Sequence, residues 1–226
     1  MEERQFINRT YLKSLLPTSL SVLLVQLCSV INNMAVGSFV GSDGLAIMSV
    51  VSPIGFIFAT IGSLVAVGGS IQSAHCLGEH NYEASNKCLS LSLKIMAICG
   101  IVLTALIMIF SNQVLGLLGA PESIHGEARR YVLAFAPAAF AAMGVYIPFN
   151  YLKINGAQKY AVYVSGVMLI VNIGLDFLFA KVLGLGMLGI GLATTVAYWS
   201  STVPGIIILY SKRAASSGYP PSSVTE

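Results

Sequence analysis

Residues 161–180 have the sequence AVYVSGVMLIVNIGLDFLFA. About 20 such residues in a helix cross the roughly 30 Å hydrocarbon core of a bilayer. Asp176 is the only acid of this chain that lies inside an apolar run. A carboxylate in a bilayer costs about 2.5 to 3.5 kcal/mol and commonly marks an ion or substrate path. The simpler alternative is an acid near a helix end that reaches the interface.

The composition indicates an integral membrane protein throughout. Of 226 residues, 56% are apolar and 9% are charged, whereas soluble domains have about 25% charged residues. Period-2 alternation is absent, which favours helices over barrel strands. We predict an all-α fold with six transmembrane helices in a lobe over 14–210. The predicted spans are 15–39, 45–74, 89–110, 131–151, 161–180 and 188–210.

The distribution of lysine and arginine predicts the orientation. With the N-terminus inside, nine of these residues lie on the inner side and three on the outer side, which places both termini in the cytoplasm. We expect a multi-pass protein of the plasma membrane with a cytoplasmic N-terminus at 1–13 and a polar, disordered cytoplasmic tail at 211–226. The net charge of +3 reflects this topology, and no basic patch indicates nucleic acid as a partner.

The sequence does not favour an enzyme. The four cysteines form no CxxC pair, so reduced, structural thiols are expected. The three histidines lie in connecting segments, where none can act with an intramembrane nucleophile or share a metal with Asp176. We predict no catalytic residue, no cofactor, and no metal beyond a possible Na⁺ at Asp176.

Several polar residues share a depth with Asp176. Counted at 1.5 Å per residue, Asp176, Asn32 and Thr194 all lie roughly 6 to 10 Å below the outer boundary. Asn172 is one turn deeper on the same face as Asp176. Such oxygens could hold Na⁺, or the carboxylate could carry a proton; the alternative is interhelical hydrogen bonding, worth about 0.6 kcal/mol per contact. Further candidates for a cavity wall are Gln26, Ser29, Asn33, Ser165 and Tyr198.

Prolines and glycines shape the predicted helices. Pro17, Pro53, Pro137 and Pro148 lie in predicted spans, where each removes a helix hydrogen bond and can produce a kink. Static packing is the alternative role for each. Small residues let helices approach closely, and Gly191 belongs to a glycine series at the start of the sixth span.

Six motifs together carry a family resemblance. In chain order they are GLAIMSVVSPIGF (44–56), LGEHNYEAS (77–85), LLGAPESI (117–124), LKINGAQKYAVYV (152–164), VNIGLDFLF (171–179) and GLGMLGIGLATTVA (184–197). Because the motifs occur in the family's order, the chain resembles the multidrug and toxic compound extrusion (MATE) family of cation-coupled antiporters over about residues 14–210.

The resemblance implies a twelve-helix transporter of two six-helix lobes, of which this chain resembles the N-terminal lobe alone. It implies H⁺- or Na⁺-coupled efflux of drugs or other amphipathic organic solutes, organic cations among them. The family's cation site joins residues of the first, fifth and sixth helices. The matching positions are Asn32, Asn172, Asp176 and Thr194, and Pro17 matches a proline linked to bending of the first helix.

The chain departs from the family pattern in two respects. The segment INNMAVG (31–37) has Asn32 where the family commonly has an acid, so one negative charge is missing. A lone carboxylate should bind a cation more weakly, or titrate as a single group. The second departure is length, because the family continues to a second lobe.

The length leaves three hypotheses open. Two copies, or one copy and a companion lobe, assemble into an antiporter, as repeated halves do in many transporters. Alternatively, the chain is a truncated fragment that does not transport. A third hypothesis is a membrane assembly or regulatory subunit of a full-length transporter.

Overall fold

The fold consists of helices that run back and forth across the thickness of a membrane. The computed structural model describes the backbone of residues 2–217 and the side chains of residues 15–211. Within that part, six helical segments are long and apolar enough to cross a membrane. The prediction of an all-α membrane protein with six spans is therefore confirmed.

The helices are named in chain order. They are α1 (Glu2–Phe39), α2 (Ser42–Gly78), α3 (Tyr82–Ile109), α4 (Ser111–Leu117), α5 (Glu122–Phe135), α6 (Ala139–Gly144), α7 (Tyr146–Ile154), α8 (Gln158–Asp176) and α9 (Gly186–Ser217). The predicted tail at 211–226 overlaps the end of α9, and its remaining residues, 218–226, lie outside the described residues, as does residue 1 of the predicted N-terminal segment.

Local chemistry explains the turns between the long helices. Gly41 separates α1 from α2 with a φ of 94°, a conformation that glycine adopts without a steric penalty. Asn81 caps α3, because its side-chain oxygen accepts a hydrogen bond from the backbone N–H of Ala84 at 3.0 Å. This bond satisfies one of the N–H groups that a helix start leaves without a partner.

The fourth span forms the centre of the bundle and is broken into short helices. It combines α5, a 3₁₀ turn at Ala136–Ala138, α6 and α7. Buried residues make up 72% of its most apolar window, against 11–44% for the other spans. Pro137 lies in the 3₁₀ turn and has no N–H to donate to the preceding turn. Of the two roles left open for this proline, the structure shows a break in the helix, whereas Pro53 lies inside the continuous helix α2.

Side chains of α3 and α9 donate hydrogen bonds to the backbone around this break. These side-chain donors add to the hydrogen bonds around the break, in a region where lipid offers no water to the carbonyl groups. The bonds are Thr104 to the Ala136 carbonyl at 3.0 Å, Thr195 to Ala134 at 2.7 Å, Trp199 to Pro137 at 3.2 Å and Thr202 to Ala141 at 2.7 Å.

Glycines allow the neighbouring helices to touch this central span. A Cβ added at Gly191 would lie 2.8 Å from both the Tyr131 carbonyl oxygen and the Ala134 Cβ. At Gly62 a Cβ would meet the backbone of Met143 at 2.8 Å. Close packing of the glycine series at the start of α9 is thereby confirmed for Gly191.

We expect Gly191→Ala to destabilise the bundle by about 1 to 3 kcal/mol, the range for inserting a methyl group into a closely packed contact. The measurement is thermal unfolding of the protein in lipid nanodiscs. Gly166→Ala in α8 is the matched control, since a Cβ there meets nothing within 4 Å. Equal melting temperatures for the two variants would contradict the close contact of α9 with α5.

Candidate ion site

A polar layer lies among α1, α8 and α9. The first and fifth spans of an alternating bundle run in the same direction, so α1 and α8 are parallel. Both pack along the same seam, which α9 closes from the side. All four predicted ion-site residues are buried here: Asn32, Asn172, Asp176 and Thr194.

A direct hydrogen bond joins α1 to α9. The side-chain N–H₂ of Asn32 donates to the hydroxyl oxygen of Thr194 at 3.3 Å. That hydroxyl donates in turn to the carbonyl oxygen of Ile190, one turn earlier in α9, at 2.9 Å. Thr194 is therefore engaged as both acceptor and donor.

A second contact joins α1 to α8 and involves a residue that the sequence analysis did not assign to the site. The Cys28 thiol donates to Oδ1 of Asn172 at 3.4 Å. Cys28 was expected to be a structural thiol. Its position one turn before Asn32 on the same helix face was the available signal, because residues four apart in a helix lie one above the other.

Asp176 is the exceptional group of this layer. The residue is 1% exposed, and neither carboxylate oxygen has a hydrogen-bond partner. Oδ1 of Asn32 is also buried without a partner. A buried carboxylate without partners is costly. The burial also argues against an acid that extends from the helix end into water.

The helix that carries Asp176 changes geometry at this residue. The segment Phe177–Val182 is π-helical, a form that is rare and often found at functional sites. The ammonium of Lys181 lies 5.1 Å from the ring centroid of Phe177 and 5.8 Å from that of Phe39. The C-terminal end of α1 and the π-helical segment that follows α8 are thus joined by aromatic and cation–π contacts.

A cavity of about 620 Å³ opens beside the polar layer. Its lining includes the predicted residues Gln26, Ser29, Asn33 and Tyr198, together with Asn32, Asn172 and Thr194. Ser165 does not line this cavity. Its hydroxyl instead donates to the carbonyl of Ala161, one turn earlier in α8, at 2.8 Å. The hydrogen-bonding need of this serine is therefore met within its own helix.

Aromatic side chains form another wall of the cavity. Tyr131, Phe135, Tyr146 and Tyr198 come from the fourth span and α9, and Phe56 comes from α2. The sequence analysis identified only Tyr198 of this group, because aromatic residues in apolar spans have no period that separates a cavity wall from a lipid-facing surface. No lysine or arginine is among the residues that line this cavity.

The remaining predictions concern bending and metals. Pro17 lies inside α1, on the N-terminal side of Cys28 and Asn32. Among the described residues, no group of three or more His, Cys, Asp or Glu side chains could hold a metal ion. The chemistry that this layer offers is the uptake of one positive ion, or one proton, by the single buried carboxylate of Asp176, which is not among the residues that line the cavity.

Known proteins share this chain's sequence pattern and fold. The MatE family model matches residues 17–178. The probable multidrug resistance protein YoeA of Bacillus subtilis is 30% identical over 177 residues, which cover 77% of this chain and 37% of YoeA. Protein DETOXIFICATION 38 of Arabidopsis thaliana is 26% identical over 191 residues, with 83% and 38% of the two chains covered.

A solved structure shares the arrangement of the helices. The bent form of the Vibrio cholerae MATE transporter VcmN superposes with a TM-score of 0.84 at 21% identity, over 98% of this chain and 49% of VcmN. The chain spans less than half the length of the curated relatives it matches. Its six spans correspond to one lobe of the MATE fold, and the chain belongs to the MATE family of membrane transporters, which are not enzymes.

Proposed function

We propose that this six-helix unit is one lobe of a cation-coupled antiporter that exports amphipathic organic solutes. Asp176 takes up and releases the coupling ion, H⁺ or Na⁺, with Asn32, Asn172 and Thr194 around it. The main support for this proposal is that the Asp176 carboxylate is buried in a membrane span without a hydrogen-bond partner for either oxygen. An intramembrane acid of this kind is expected to bind an ion or a proton.

The composition of the cavity supports an organic cation as substrate. Tyr and Phe rings line one wall, and aromatic rings attract cations through the negative charge of their faces. The lining holds no basic group that would repel a cation. A volume of about 620 Å³ lies within the range of small-molecule pockets.

Exposed polar groups on α1 support a second lobe opposite this one. The amides of Gln26 and Asn33 line the cavity and are exposed. Amides facing hydrocarbon would be costly, so we infer that this side faces water and a second six-helix lobe, supplied by a second copy or a companion lobe. The nine-to-three distribution of basic residues supports an orientation with both termini in the cytoplasm, and we propose the plasma membrane as the location of the lobe.

Asp176→Asn should abolish ion-driven efflux, because the amide can neither ionise nor gain a proton. The measurement is cationic-dye efflux from proteoliposomes of the purified chain, under imposed H⁺ or Na⁺ gradients in turn. The matched control is Asp43→Asn, which changes an exposed acid in the first turn of α2 and should leave efflux unchanged. Retained coupling in Asp176→Asn would show that the carboxylate is dispensable.

The same substitution should stabilise the fold. In sodium-free buffer at alkaline pH, where a carboxyl group is ionised, Asp176→Asn should raise the free energy of unfolding by about 1 to 3 kcal/mol, because it removes a buried charge without partners. Thermal unfolding in nanodiscs measures this change. A lower melting temperature would mean that the carboxylate has a stabilising partner.

Crosslinking should trap a species of twice the mass of this chain. Cysteine introduced at Gln26, on the exposed side of the cavity, should crosslink two copies in membranes. Cysteine at Ile101, a 70% exposed position on α3, is the control for random collision. A crosslink at neither position, together with copurification of a larger transporter, would favour a companion lobe and count against the homodimer.

A further inference from the structure

The thiol of Cys28 holds a specific place beside the ion site. Cys28 is 9% exposed, and its Sγ lies 3.4 Å from Oδ1 of Asn172. Both residues line the cavity. We propose that Cys28 is a positioning residue of the ion site, because its thiol orients the amide of Asn172 so that the oxygen faces α1. This proposal rests on the proposed function and adds a residue to the site.

The register of the two helices connects this contact to Asp176. Because α1 and α8 are parallel and Cys28 meets Asn172, the residues four positions further along each helix, Asn32 and Asp176, lie in the next layer outward. One turn of helix, about 5.4 Å, separates the two layers. An amide fixed at Asn172 is therefore one turn below the carboxylate.

An independent observation indicates that an ion or proton belongs in this region. Both carboxylate oxygens of Asp176 and Oδ1 of Asn32 are buried and have no partner. Asp176 is 1% exposed and Asn32 is 8% exposed. These atoms are all acceptors, so the group that would satisfy them is a hydrogen-bond donor, a proton or a cation, and not an anion.

The chemistry of the thiol explains how it orients the amide. The side chain of Asn172 has an acceptor oxygen at one end and donor N–H₂ at the other. In the observed arrangement the S–H group donates to the oxygen end, and the oxygen keeps a second lone pair for an ion. Without a donor at residue 28, the amide can turn its N–H₂ end toward α1 and repel a cation.

Simple packing is the alternative role, and it makes a different prediction. Cys28 also packs with Met168 and Ala197 in a small apolar cluster, and buried cysteine often behaves as a small hydrophobic residue. If packing is the whole role, Cys28→Ala and Cys28→Ser should have similar ion dependence. If the donor matters, serine should replace cysteine and alanine should not.

The first measurement is the concentration of coupling ion that drives half-maximal dye efflux. Cys28→Ala should raise that concentration about threefold to tenfold, the size of one lost hydrogen bond, and Cys28→Ser should return it to within about twofold of the unaltered chain. The control Cys99→Ala removes a thiol from α3, outside the cavity lining, and should leave it unchanged. Equal values for the alanine and serine variants at position 28 overturn the proposal.

The second measurement does not require transport. Infrared difference spectra of the protein in lipid show the S–H stretch of Cys28, assigned by its loss in Cys28→Ala, and the carboxyl bands of Asp176, assigned by Asp176→Asn. Asn172→Leu should move the S–H band to higher frequency, because it removes the acceptor. Addition of the ion should shift both sets of bands.

The two spectra separate the possible failures. If the carboxyl bands respond to the ion while the S–H band does not, or if Asn172→Leu leaves the S–H band in place, the role of Cys28 is refuted. If the Asp176 bands respond to neither H⁺ nor Na⁺, the proposed ion coupling fails, and the effect of Asn172→Leu alone then decides whether the thiol contact exists.

Discussion

The structure depends on one constraint: inside a bilayer, the protein itself must satisfy its buried polar groups. Serine and threonine hydroxyls meet it by bonding to a carbonyl in the preceding turn, as Ser165 does with Ala161. The hydroxyl of Thr195 donates to a carbonyl of a different helix, that of Ala134 in α5. Of the buried side-chain nitrogen and oxygen atoms of the described residues, four have no partner, and three of them belong to Asp176 and Asn32.

The bundle has a close-packed part around the fourth span and a more exposed first span. Gly62 and Gly191 bring α2 and α9 into contact with the fourth span, at distances that leave no room for a methyl group. The first span is the least buried of the six, and side-chain hydrogen bonds at Cys28 and Asn32 join it to α8 and α9. Both bonds involve residues of the candidate ion site.

The class of the fold could be predicted from the sequence, but its finer geometry could not. Long apolar runs determine the spans because the bilayer thickness fixes their length. A proline marks the 3₁₀ turn at Pro137, but Pro17 and Pro53, which gave the same signal, lie inside continuous helices. The π-helical segment after Asp176 had no comparable signal, since no single residue type marks such a segment. Helix depth selected Asn32 and Thr194, which the structure joins by a hydrogen bond. Cys28 was missed because a thiol in an apolar span is ordinarily a packing residue.

The break in the fourth span is hydrogen-bonded to two other helices, α3 and α9. Thr104, Thr195, Trp199 and Thr202 all donate to carbonyl groups around Pro137. If the proline were replaced with alanine and the helix became straight, those carbonyls would move away from all four donors at once. A substitution at this one position would therefore weaken the contacts of two other helices, α3 and α9, as well as change the geometry of the fourth span.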